Sequence, residues 1–203
     1  EPRPPLAAYV AAAFGLDLVW PLFLLGGIET ECIAPGAKAF TPLDFVSYPW
    51  SHSLLIAVVW AGLAALVRAN ILRARGAAVA VGLVVLSHWM LDWITHAPDL
   101  PLWPGGPKSG AGLWNSIPAT ITVEGLLFAG AIWFYSRSAP ARDKTGRWAF
   151  WLLVALVTAI WISGPFSPPP PGVGAVIAVT LLLAPLLPAW AAWIERHRGR
   201  RRL

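Results

Sequence analysis

Six stretches of this chain are each about long and apolar enough to cross a lipid bilayer as a helix, and that feature constrains the fold more than any other. A helix rising 1.5 Å per residue needs roughly 20 mostly apolar residues to span the hydrocarbon core. The qualifying segments are Leu6–Gly27, Ser51–Val67, Gly76–Thr95, Ala119–Tyr135, Trp148–Ser163 and Val173–Ile194. All are longer than the roughly ten residues of a membrane strand, and none alternates with period two. The expected fold is therefore all-α: a polytopic integral membrane bundle of about six helices, forming a single domain over residues 1–203.

Composition excludes the alternatives. Charged residues make up 12% of the 203 residues and hydrophobic ones 57%, whereas soluble domains carry about 25% charged residues. Too few charges exist to cover a water-facing surface, which argues against a soluble enzyme, a disordered tail or a nucleic-acid module. Cys32 is the single cysteine, so no intrachain disulfide can form. The chain begins at Glu1 rather than a methionine, and preceding residues are expected to have been processed away or left out. No signal-peptide pattern is visible. No internal repeat points to an inverted-repeat transporter.

Basic residues give an orientation. Arg68, Arg73 and Arg75 lie between the second and third spans, and Arg137, Arg142, Lys144 and Arg147 between the fourth and fifth. Arg196, Arg198, Arg200, Arg201 and Arg202 follow the sixth, while the other three connections hold only Lys38 and Lys108. The positive-inside rule then predicts that both termini are cytoplasmic. Most of the thirteen tryptophans fit aromatic belts: Trp50, Trp93, Trp103, Trp114 and Trp161 outside, Trp133, Trp148, Trp151, Trp190 and Trp193 inside. Ser167–Pro171 reads as a stiff extended connector, and Pro185 and Pro188 as kinks in the last span.

The informative residues are the few ionisable ones at bilayer depth, where a charge costs at least about 2.5–3.5 kcal/mol and normally faces a partner. His88, Asp92 and His96 recur at four-residue steps, which stacks them along one helix face. A histidine and a carboxylate one turn apart can reach one cation together: imidazole suits zinc, and a carboxylate also accepts manganese or magnesium. With the predicted orientation, Asp17, His52, His88, Asp92 and Glu124 all fall in the outer half of the membrane. Structural alternatives stay open, including a buried hydrogen bond for Asp17, an i,i+4 pair for His88 with Asp92, and a turn role for Asp99. Glu29, Glu31 and Asp44 read as ordinary loop charges.

At these residues the chain resembles a family of bacterial membrane proteins described as membrane-bound metal-dependent hydrolases, the YdjM-like group. The resemblance rests on Ser51-His52-Ser53-Leu54, on Ser87-His88-Trp89-Met90-Leu91-Asp92, and on Pro98-Asp99-Leu100-Pro101-Leu102-Trp103-Pro104, with Asp17 before Pro21. It covers roughly Leu6 to Glu124, and the last two spans add little. A subgroup of small membrane proteins shares the elements at Leu16–Pro21, Pro49–Ser53 and Gly112–Ser116. Two departures stand out: no histidine precedes His52, and the doubled acid of Pro-Asp-x-Asp is reduced to Asp17.

The resemblance implies location in the bacterial inner membrane and a metal-assisted hydrolase. In that reading Asp17, His52, His88 and Asp92 hold one or two divalent cations, zinc or manganese first. The cation lowers the pKa of a water toward about 7, and Glu124 or Asp99 acts as general base. A lipid ester or phosphoester is the expected substrate, and no Gly-x-Ser-x-Gly elbow marks a serine esterase. The alternative is a non-enzymatic accessory or scaffold subunit of a larger membrane complex, in which the same residues form a buried network fixing helix register. An ion-coupled transporter ranks last, because the acids gather at one side.

Overall fold

The computed structural model describes residues 5–71, 73 and 75–199, so Arg200, Arg201 and Arg202 of the basic tail lie outside the described residues. The molecule is an α-helical bundle. Among the described residues five helices are long and apolar enough to cross a membrane, and six spans result if one bent pair counts as one. That pair is α1 (Leu6–Ala13) and α2 (Gly15–Leu25), which meet at Phe14 with a 45° bend. The expected unbroken first span is thus two pieces. Gly15, a poor helix former, sits at the joint.

The second span also starts differently from its apolar pattern. Pro49–His52 form a separate short turn, α3, and Ser53 is extended with φ −74° and ψ 149°. Ser53 then caps α4 (Leu54–Leu66) by accepting from the Ile56 amide at 3.4 Å, so the span begins at Leu54 rather than Ser51. It continues as a π-helix over Val67–Ile71. The remaining spans are α5 (Ala78–Thr95), α6 (Ile117–Ser138), α7 (Lys144–Ser163) and α8 (Val173–Arg196). Against the expected bounds α6 is extended at both ends, α7 at its start and α8 at its end, whereas α5 starts at Ala78 rather than Gly76. Ser116 caps α6, and Asp143 caps α7 by accepting from the Gly146 amide at 2.7 Å. Helix α8 runs on through Pro185 and Pro188.

Helix α5 lies at the centre. Of its most apolar stretch 33% is buried, against 6% for α4 and for α6. Leu16, Trp20, Ala57, Ala61, Val81, Val85 and Trp89 form the main core around it. Gly82 permits the close approach of α4, since a Cβ there would lie 3.0 Å from the Ala61 carbonyl oxygen. Helix α8 packs on α1 and α2, and its Glu195 carboxylate accepts from the Leu6 amide at 3.0 Å, which caps α1.

Loops build a lid over one end of the bundle. An antiparallel ribbon pairs β1 (Thr30–Ile33) with β2 (Leu43–Ser47), Cys32 facing Asp44. A smaller ribbon pairs β3 (Leu100–Pro101) with β4 (Lys108–Ser109). The Lys108 ammonium donates to the Val46 carbonyl at 3.0 Å and ties the two together.

The tryptophans divide by role. Trp50, Trp93, Trp103, Trp133, Trp148, Trp151 and Trp193 are exposed, as anchors would be. Trp114 and Trp161 instead donate their indole N–H to Glu124, and Trp20 and Trp89 are core.

Candidate functional site

The site begins with the local structure that aims each side chain. The bend at Phe14 leaves the Ala13 carbonyl available, and His88 Nδ1 lies 2.7 Å from it. A carbonyl only accepts, so His88 Nδ1 carries the proton and Nε2 points away from that contact. His52 is fixed through a longer relay. Glu29 is buried, and its Oε1 accepts from the Trp50 and Ser51 amides at 2.7 and 2.8 Å, at the start of α3. Its Oε2 accepts from the Ser51 hydroxyl at 2.7 Å. Having spent its proton on Glu29, Ser51 Oγ accepts from His52 Nδ1 at 2.7 Å. His52 Nε2 is again the nitrogen left over.

Both leftover nitrogens face the same carboxylates. His52 Nε2 lies 3.5 Å from Asp17 Oδ1 and 3.9 Å from Asp92 Oδ2. His88 Nε2 lies 3.7 Å from Asp17 Oδ1 and 3.2 Å from Asp92 Oδ2. Ligand atoms of Asp17, His52 and His88 all fall within 4.8 Å of one another. Asp92 Oδ2 is enclosed and has no hydrogen-bond partner among the described residues. The structure therefore brings Asp17, His52, His88 and Asp92 together from α2, α3 and α5.

The cluster opens on a cavity of about 390 Å³. One wall carries these four residues with Tyr48 and His96, and another is a mostly apolar stretch of α8 formed by Val176, Thr180, Leu183, Ala184 and Leu187. The last span, which adds little to the motif resemblance, supplies a wall of the cavity.

Asp99 and Glu124 stand elsewhere, and neither is among the residues lining the cavity. Asp99 sits behind His96: its Oδ1 lies 3.0 Å from His96 Nδ1 and accepts from the Tyr48 hydroxyl at 2.9 Å, while its Oδ2 pairs with Lys38 at 2.8 Å. Burial pulls the Asp99 carboxyl upward, but the His96 hydrogen bond and the Lys38 ammonium outweigh it and hold the group at about 2. Burial and the neighbouring Asp99 push the Tyr48 phenol up, so it keeps its proton. His96 itself is packed between Phe45 and Trp114, each ring centroid 4.6 Å away. Glu124 is held by two indoles, Trp114 Nε1 at 3.0 Å and Trp161 Nε1 at 2.6 Å.

One participant carries no signal in the sequence. Glu29 reads as a loop charge but is buried and organises His52. Glu31 is also buried, with no hydrogen-bond partner among the described residues, and burial lifts it to about 7 against the pull of Lys38. The serine before His52 is the one hint of the relay that the chain prints.

Fold and site together define a polytopic α-helical membrane protein with a partly buried histidine–carboxylate cluster at one end of the bundle. The chain belongs to the YdjM inner membrane protein family, which matches residues 40–166. That range reaches through α7, further than the motif resemblance ending near Glu124, but leaves Asp17 outside. Comparison with curated proteins and with solved structures finds no match to either.

Proposed function

We propose that the chain is a metal-dependent hydrolase of the inner membrane acting on a lipid ester or phosphoester. The observation that carries this reading is the second partner of each histidine: both Nδ1 positions are committed, leaving two Nε2 lone pairs facing two carboxylates. Metal-ligating histidines are held in this way, with the other ring nitrogen bonded to a fixed acceptor. Ligand atoms around a tetrahedral cation with bonds of 2.0–2.1 Å are about 3.3 Å apart, and the four nitrogen–oxygen separations run from 3.2 to 3.9 Å. Two carboxylates side by side, Asp92 largely enclosed and Asp17 about one-third exposed, also need neutralising, which one divalent cation, zinc or manganese, does without protonating either imidazole.

Asp17, His52, His88 and Asp92 would hold the cation. It would supply Lewis acidity and water activation at neutral pH. His96 is the group best suited to move the proton, because Asp99 fixes its Nδ1–H and leaves Nε2 as base. Asp99 then acts as a positioning residue rather than as the base itself. The α8 wall supports an apolar substrate body, while Tyr48 and His96 supply polar contacts beside the reacting head. With both termini cytoplasmic, the site belongs to the outer half of the bilayer.

Elemental analysis of the purified full-length protein tests the proposal. Near-stoichiometric zinc or manganese is expected, lost in His52→Ala and His88→Ala variants that retain their helical circular dichroism. Metal-free wild type, with hydrolysis of lipid esters unchanged in His88→Ala, would overturn it. The cluster would then be a register-fixing polar network, as in an accessory subunit of a membrane complex.

A further inference from the structure

A second groove, sharing no lining residue with the site cavity, runs between α1, α4 and α5 and encloses about 390 Å³. Ala8, Ala11 and Ala12 keep its α1 wall low, and Trp60 and Ala64 face them from α4. Trp60 and Arg68 are eight residues apart, so the lined length is about 12 Å along the helix. Arg68 stands where α4 passes into its π-helical turn, and π-turns recur at functional positions.

The charge at that end has no counterpart. Arg68 is partly buried, its Nε is enclosed, and its guanidinium has no hydrogen-bond acceptor or anion among the described residues. Arg198, also buried, is by contrast satisfied by the Ala139 and Gly146 carbonyls at 2.9 and 3.2 Å and by the Phe150 ring at 4.3 Å. The same turn carries a recess lined by Asn70, Arg73 and Arg75, and no acid occurs from Val67 to Ala77. An apolar groove ending in an unpaired cation, beside two more, is complementary to one molecule class.

We propose that this groove binds an anionic phospholipid, one acyl chain along α1 and α4 and the phosphate headgroup at Arg68. A guanidinium at the membrane surface gains a phosphate partner, and the chain fills a groove that would otherwise lose contacts along its lining. The proposal is independent of the metal reading and can fail or stand alone.

Native mass spectrometry of the full-length protein in neutral detergent tests it, with phosphatidylglycerol, phosphatidylethanolamine and free glycerol phosphate as probes. Wild type should bind phosphatidylglycerol several-fold more tightly than phosphatidylethanolamine, and glycerol phosphate should not compete. Arg68→Gln should weaken phosphatidylglycerol by about fivefold, the effect of one basic residue near an anionic surface, and leave phosphatidylethanolamine unchanged. Ala11→Phe, which fills the groove, should weaken both lipids. Equal binding of the two lipids by wild type would overturn the proposal. So would a preference that survives Arg68→Gln, which would point to basic residues elsewhere, and competition by glycerol phosphate would identify a free-phosphate site. Arg68→Gln keeps the test decisive if Ala11→Phe fails to fold.

Discussion

Three histidines reach the cavity, and each has its Nδ1 committed to a different partner: Ser51 Oγ for His52, the Ala13 carbonyl for His88 and Asp99 for His96. The Ser51 relay makes a prediction at this scale. Ser51→Ala keeps every proposed ligand but releases His52, so metal affinity measured by chelator competition should fall about 10- to 100-fold. Asp99 predicts a pH effect in the lid. Its carboxyl is lowered from 3.8 to about 2 on folding, so its stabilisation is present above the unfolded value and is lost as pH falls through the folded one. Wild type should exceed Asp99→Asn by about 2 kcal/mol at neutral pH. That margin in chemical denaturation should shrink below about pH 4 and be gone near pH 2. His88 and Asp92 were legible in the sequence because a helix puts positions four apart on one face. Glu29 was not, because its role depends on the chain folding back to bring it to Ser51, 22 positions further on.

At the scale of elements, the breaks in the helices matter more than the helices. The 45° bend between α1 and α2 frees the carbonyl that orients His88. Extended Ser53 separates α3 from α4, so that His52 sits on a short turn anchored by Glu29. An apolar pattern reports neither break, since Phe14 is itself apolar within an apolar run and Ser53 merely follows the polar Ser51-His52 pair at the start of one. Central α5 depends on close packing instead. In Gly82→Val the new Cβ would press on the Ala61 carbonyl at 3.0 Å and the Ala65 Cβ at 3.3 Å. Overpacking of this kind costs about 1–3 kcal/mol, and a lowered thermal midpoint in detergent, with α-helical content kept, is the expected result.

For the whole molecule, orientation decides which side of the membrane the cavity faces. Cys32 is exposed on the β1–β2 ribbon, in the lid over the cavity, and is the chain's single thiol. If both termini are cytoplasmic, a membrane-impermeant maleimide should label Cys32 in intact spheroplasts without permeabilisation. Labelling only after permeabilisation would invert the topology and put the cavity on the cytoplasmic side. The family match over residues 40–166 includes His52, His88 and Asp92, whereas Asp17 joins them through the packing of α2 against α3 and α5.

By itself the sequence determined that this is a membrane helical bundle, because apolar length and scarce charge leave the chain no water-soluble alternative. It also singled out His52, His88, Asp92 and Asp17, since charge at bilayer depth is costly enough to be rare. Only the tertiary structure decided which polar groups share a cavity. It set Asp99 behind His96, gave Glu124 to two tryptophans, and brought an apolar wall from the last helix. Those assignments rest on distances between elements far apart in the chain, which local periodicity does not encode.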